Sequence, residues 1–273
     1  MNKKITIQSI FMKLIIILFY VNFACASDKP TCFKEFSVAY YENGYYFIQK
    51  SNEGINKYLF QELSKRSGCK IVEHTAPRAR IWEDLKYGRL DFGTNAIINK
   101  EREIYAYFSS YATIKNYALI RKELKDKTME GFLENKNAVF GVIRGYIHAS
   151  KKLDDFVDKM RQLNRLEEST NQEQLYLKLN KNHIQGIFVP YGSYKRYSNE
   201  INGLNKETIM TDWIPEEKFL TSNIMFSKKV FSKSEFNKWD NIIKNMVKDG
   251  TLKRIFLKYF TEKEIKKYNL LID

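Results

Sequence analysis

The stretch GINKYLFQELSKRSGCKIVEHTAPRARIWEDLKYGRLDFGTNAI, residues 54–97, decides the fold. Ile55, Tyr58, Leu59 and Leu63 fall on one helical face and Gly68 follows as a stop, which predicts an amphipathic helix over 54–68. KIVEHTA then reads as a strand, RIWEDLKYGR as a second helix and LDFGTNAI as a further strand, while FSVAYY at 36–41 supplies a strand upstream. Strand and helix alternate, the pattern of an α/β protein whose parallel sheet is covered by helices.

The alternation restarts after the charged stretch RKELKDKTMEG. AVFGVI at 138–143 reads as a strand, SKKLDDFVDKMRQL and EQLYLKLNKN as two successive helices, and IQGIFVP as a strand. Two such units in tandem predict two lobes. In the tail, Phe236, Trp239, Ile242, Ile243, Met246 and Val247 keep helical spacing, Gly250 interrupts it, and Leu252, Ile255, Phe256 and Phe260 resume an apolar face that suits core packing. With 4 prolines and no low-complexity segment, nothing reads as a disordered linker.

At the other end, Lys3, Lys4 and Lys13 precede an apolar run from Leu14 to Val21 and then Ala24-Cys25-Ala26. This is the layout of a cleavable signal peptide, residues 1–26, and the run is short of the ~20 apolar residues of a spanning helix. Cys25 could alternatively serve as a lipid-attachment cysteine, although Asn22 and Phe23 before it fit that motif poorly. Export would leave Cys32 and Cys69 in a compartment that permits disulfides. Both fall just before a strand start, so a bridge would staple neighbouring strand ends; the alternative is two buried thiols. Removing the three lysines of the leader takes the formal net charge from +14 to +11. The remaining lysines are scattered among acids, which reads as a solvated surface and, with export, excludes a nucleic-acid partner.

His74, His148 and His183 stand far apart and in no metal-ligand spacing, and there is no HExxH, CxxC, GxSxG or phosphate-loop pattern. Catalytic residues, a metal and a cofactor are therefore not expected. What the chain offers are polar turns at strand ends, where open α/β sheets bind ligands. The first, YENGYYF, carries Glu42 and Tyr46. The second, TNAIINKERE, carries Asn95, Asn99 and Arg102; Asn99 can cap a helix whose first turn suits Glu101 and Glu103 but not Arg102, unless the arginine meets an anion there. The third, IRGYIHAS, carries Arg144, Tyr146 and His148.

From its glycine-led helix through Gly88–Asp91, Asn99-Lys100-Glu101-Arg102-Glu103 and Ala106, Phe108 and Ser109, the chain resembles family 3 bacterial extracellular solute-binding proteins. FGVIRGYIHAS and VKDGTLKRIFLKYF extend the likeness across nearly the whole mature chain. The resemblance implies the two-lobe periplasmic-binding-protein type 2 fold, each lobe a mainly parallel sheet flanked by helices, joined by a two-strand hinge. It places lobe 1 at 27–118 plus 223–273 and lobe 2 at 119–222. It implies that Arg102 pairs with a ligand carboxylate, that Tyr46 lies in the segment covering the ligand, and that Tyr146 to His148 close over it. Two departures stand out: Pro190-Tyr191 occupies the place where many amino-acid binders hold the ligand's ammonium with an acid, and Asn99 replaces the usual Thr or Ser. The expected function is a monomeric periplasmic protein that captures an amino acid or related carboxylate for an inner-membrane ABC permease. Sensing or scavenging without a transporter is one alternative. Another is a cyclohexadienyl-dehydratase-like enzyme using Glu42 or His148 as general acid.

Overall fold

The computed structural model describes residues 29–272 apart from Gly145 and Ile147, so the expected leader at 1–26, with Cys25, lies outside the described residues. Among the described residues, ten strands form two five-stranded sheets. The first contains β1 (Phe36–Tyr40), β2 (Ile71–Thr75), β3 (Phe92–Ala96), β4 (Ala106–Ile114) and β10 (Leu220–Ser227), in the order β2-β1-β3-β10-β4. The second contains β5 (Asn116–Arg121), β6 (Phe140–Ile143), β7 (Leu166–Ser169), β8 (Gly186–Pro190) and β9 (Thr208–Thr211), in the order β7-β6-β8-β5-β9. In each sheet one strand opposes the rest: β10 is antiparallel to β3 and β4, and β5 to β8 and β9. The result is the two-lobe α/β fold that the alternation and the resemblance lead one to expect.

The chain passes between sheets at Lys115 and again between Thr211 and Leu220. The two crossings are tied together. Lys115, 7% exposed, places its ammonium 2.8 Å from Asp212 Oδ2 and donates to the carbonyl of Glu217 at 3.1 Å, so a nearly buried cation on one crossing is neutralised by an acid on the other.

The structure differs from the sequence reading in several elements, since that reading assigns no strand to β4, β5, β7, β9 or β10. A strand, β7, separates the helices Lys151–Gln162 and Gln172–Asn180, which the sequence reading gives as successive helices with no strand between them. Its residues, LEES, carry no apolar alternation because β7 is an edge strand pairing only with β6. The helix read from Arg80 begins at Arg78.

Aromatic residues fill the first lobe. Phe36, Phe92, Phe231 and Trp239 are all fully buried, with ring centres 5.1–6.3 Å apart. The helix Lys233–Lys248 contributes Phe236, Trp239, Ile243 and Met246, a 3–4 spacing that turns one face inward. In the second lobe, Phe132, Phe140 and Phe156 pack around Trp213, whose indole donates to the Lys127 carbonyl at 2.7 Å.

Cys32 and Cys69 form a disulfide, Cα atoms 5.2 Å apart, immediately before the parallel neighbours β1 and β2. With a sequence separation of 37, the chain-entropy description assigns the bridge about 3–4 kcal/mol. The doubly substituted Cys32→Ser/Cys69→Ser mature chain should therefore melt lower by on the order of 10 °C, and the unreduced parent should show no thiol reaction at these positions after denaturation. Equal melting temperatures would remove the bridge from the energetics of the fold.

Candidate functional site

The carboxyl ends of β1, β2 and β3 feed three turns that face the second lobe. After β1 come Tyr41 and Glu42, then Gly44 to Tyr46 in a short 3-10 turn; after β2, Pro77 leads into the helix Arg78–Lys86; after β3, Ile97 to Asn99 lead into the helix Lys100–Tyr105. From the second lobe the turn after β6 brings Tyr146, His148 and Ala149. A narrow cavity of about 30 Å³ lies where these meet, lined by Arg78, Ile97, Ile98, Asn99, Arg102 and Ala149.

Asn99 caps its helix, Oδ1 accepting from the Arg102 amide at 2.8 Å. The Arg102 side chain donates to the Ile97 carbonyl at 3.0 Å and lies 4.9 Å from the centre of the Trp82 ring. Among the described residues no carboxylate is within ion-pair distance of it. Burial, and next the positive charge of Arg78, push its pKa below the ordinary arginine value, which leaves it charged at any physiological pH.

The sequence reading missed Arg78. Its guanidinium carbon is 4.8 Å from the Tyr146 ring, 5.6 Å from Tyr41 and 5.8 Å from Trp82, an aromatic enclosure built from three separate segments and from both lobes. It forms no hydrogen bond with any described residue, and its Nε is buried without a partner. The arginine occupies the first turn of a helix at a strand's carboxyl end, as Arg102 does, and that shared placement was the available signal.

The remaining expected residues have varied surroundings. Asn95, at φ +55° in the left-handed region that asparagine tolerates, holds its Oδ1 2.7 Å from the Tyr111 hydroxyl and leaves Nδ2 without a partner. Tyr146 lies 3.2 Å from Asn116 Oδ1; burial pushes its hydroxyl pKa up, with the Arg78 charge acting in the opposite direction. His148 is 4% exposed, its Nδ1 2.9 Å from Asp154 Oδ1 and its ring edge-on to Phe188. Arg144 points outward, 3.5 Å from Glu168.

Glu42 and Tyr46 serve the contact between lobes. Glu42 pairs with Arg196 and accepts from the Gln49 amide at 2.8 Å. Tyr46 is buried against Gly192 and Phe256. Gly44 approaches the helix Tyr191–Glu200 so closely that a Cβ there would sit 2.5 Å from the Ser193 Cα, and its φ of +53° independently favours glycine. On the same seam Glu264 binds both Lys195 and the Tyr191 hydroxyl, and the Tyr191 and Tyr268 rings stack at 3.6 Å.

Among the described residues no cluster of His, Cys, Asp and Glu could hold a metal ion. A larger cavity, about 1050 Å³, is bordered by Phe236, Lys244, Lys248 and Leu271 and shares no residue with this site.

The sequence model of the bacterial extracellular solute-binding proteins, family 3, matches residues 36–262. Solved structures of the same fold include the arginine-, lysine-, histidine-binding protein ArtJ from Geobacillus stearothermophilus, at 16% identity and a TM-score of 0.66 over 86% of this chain and 100% of that one. A histidine kinase sensor domain with similarity to periplasmic binding proteins superposes at 12% identity and 0.67, over 88% and 98%. The ancestral amino acid-binding protein AncCDT-1, a precursor of cyclohexadienyl dehydratase, does so at 18% and 0.64, over 83% and 95%. No curated protein sequence matches the chain.

Burial would raise the Glu264 pKa, but the hydrogen bonds from Lys195, Tyr191 and Thr261 outweigh it and hold the carboxyl at about 2, against 4.5 for the free side chain. A depressed carboxyl pKa stabilises the folded state fully above the unfolded value, and that contribution is lost as pH falls from about 4.5 towards 2. Glu264→Gln should lower the melting temperature at pH 7 and lose part of the decline that the parent shows over that window. Parallel pH profiles would show that this seam contact does not contribute.

Proposed function

Because this chain belongs to the bacterial extracellular solute-binding proteins of family 3, we propose that it captures a small carboxylate-bearing solute, an amino acid or a related acid, between its two lobes. The observation that carries this reading is Arg102, a half-buried guanidinium with no carboxylate partner among the described residues, lining the interlobe cavity. A planar fork of donors in that setting suits bidentate pairing with a carboxylate, and partial burial strengthens the pair relative to water. The cavity is too small to admit an amino acid, so entry requires the lobes to separate about the two crossings. Closure would then bring Tyr146 back over Arg78.

The chain is exported by residues 1–26, acts in the periplasm as a monomer, and hands its closed form to an ABC permease of the inner membrane. Its lobes divide at the two crossings, Lys115 and residues 212–219, a few residues before each of the boundaries 118/119 and 222/223 that the resemblance implies. Binding without catalysis is favoured because neither candidate general acid lines the interlobe cavity: Glu42 is engaged by Arg196, and His148 is 4% exposed. The basic ligands named for ArtJ do not carry over, since a cationic side chain would enter a cavity already lined by two arginines.

Thermal melting of the refolded mature chain against amino acids and small carboxylates tests the reading. A ligand at one hundred times its Kd should add about 2.7 kcal/mol, a rise of roughly 5–10 °C. Arg102→Ala should abolish that rise while the ligand-free chain melts within a few degrees of the parent. An undiminished ligand response in Arg102→Ala would contradict the assignment.

A further inference from the structure

Resting on that reading of Arg102, we infer that Arg78 is a specificity-determining residue and that the preferred solute carries two anionic groups, one for each arginine. Both guanidiniums line the same small cavity and lie within 6 Å of the same indole, Trp82. Neither has a carboxylate among the described residues; Arg165 and Arg254 also lack one but are bonded to main-chain carbonyls and a hydroxyl, whereas the buried Arg78 Nε has no partner.

The acids around the cleft do not fill this gap. Glu42 is held by Arg196, Asp154 by His148, and the nearby Glu101 is exposed and forms no ion pair with a described residue. Aromatic faces hold Arg78 in place, but they compensate a cation less than a carboxylate does. Two adjacent positive charges in a partly desolvated site repel each other, and the cheapest relief is an anion that reaches both. A singly charged acid on Arg102 would leave Arg78 uncompensated, and a basic amino acid would add a third cation. Burial of the Arg78 Nε without a partner points the same way, since a buried donor gains most from an acceptor brought by a ligand. The matching chemistry is a short dicarboxylate, including an acidic amino acid. Its second carboxylate would lie under Tyr146, on the seam that closes.

Isothermal titration of the refolded mature chain with isosteric pairs, glutamate against glutamine and succinate against succinamate, and with arginine, tests this. The doubly charged member of each pair should bind at least about tenfold tighter, and Arg78→Met should collapse that ratio towards one. Should Arg78→Met fail to fold, the ratio in the parent chain decides alone. Equal affinities within the pairs, or tighter binding of arginine, overturn the inference; if Arg102→Ala still abolishes binding, the carboxylate reading survives. If no acid binds the parent chain, both fall.

Discussion

The constraint on which the structure depends is that the chain crosses between its two sheets twice, and that the crossings are tied by a nearly buried ion pair, Lys115 with Asp212. Two lobes joined at one edge can approach and separate, but the turns that face each other across the gap stay the same. The carboxyl ends of β1, β2 and β3 therefore always meet the turn after β6. Asn116, the residue directly after Lys115, reinforces this by donating to the His148 carbonyl at 3.1 Å and lying beside the Tyr146 hydroxyl. The second-lobe half of the site is thus anchored at the point where that lobe begins.

Charge decides what such a gap can receive. Most acids near the seam are already bound to bases: Glu42 to Arg196, Glu264 to Lys195, Asp212 to Lys115. These pairs hold the lobes together and use up negative charge that could have met an ammonium group. Among the described residues, what remains uncompensated in the cavity is positive, on Arg78 and Arg102, against the face of Trp82. The absence of an acid at Pro190-Tyr191 fits the same balance, because Tyr191 there stacks on Tyr268 and helps close the seam.

Much of the fold was legible in the sequence because its periodicities are local. The helix Ile55–Ser67 and its Gly68 stop, the strands either side, and the position of both cysteines ahead of parallel neighbours follow from spacing alone. β7 was not, since an edge strand needs no apolar alternation and LEES has none. Of the site, Arg102 was legible because its cap, Asn99, and its strand lie beside it in sequence. Arg78 was not, because its surroundings come from Tyr41, Trp82 and Tyr146, which only the packed lobes bring together. Glu42 looked free as a sequence residue; its partner Arg196 lies 154 positions away.

The most direct measurement is the NMR resonance of the Arg102 Nε–H group, assigned by its loss in Arg102→Ala, followed while the mature chain is titrated with an acid that binds it. Capture of a carboxylate by this guanidinium predicts that the resonance moves along the same isotherm as the heat of binding. Saturation by the acid with the Arg102 resonance unmoved would contradict it and place the ligand elsewhere.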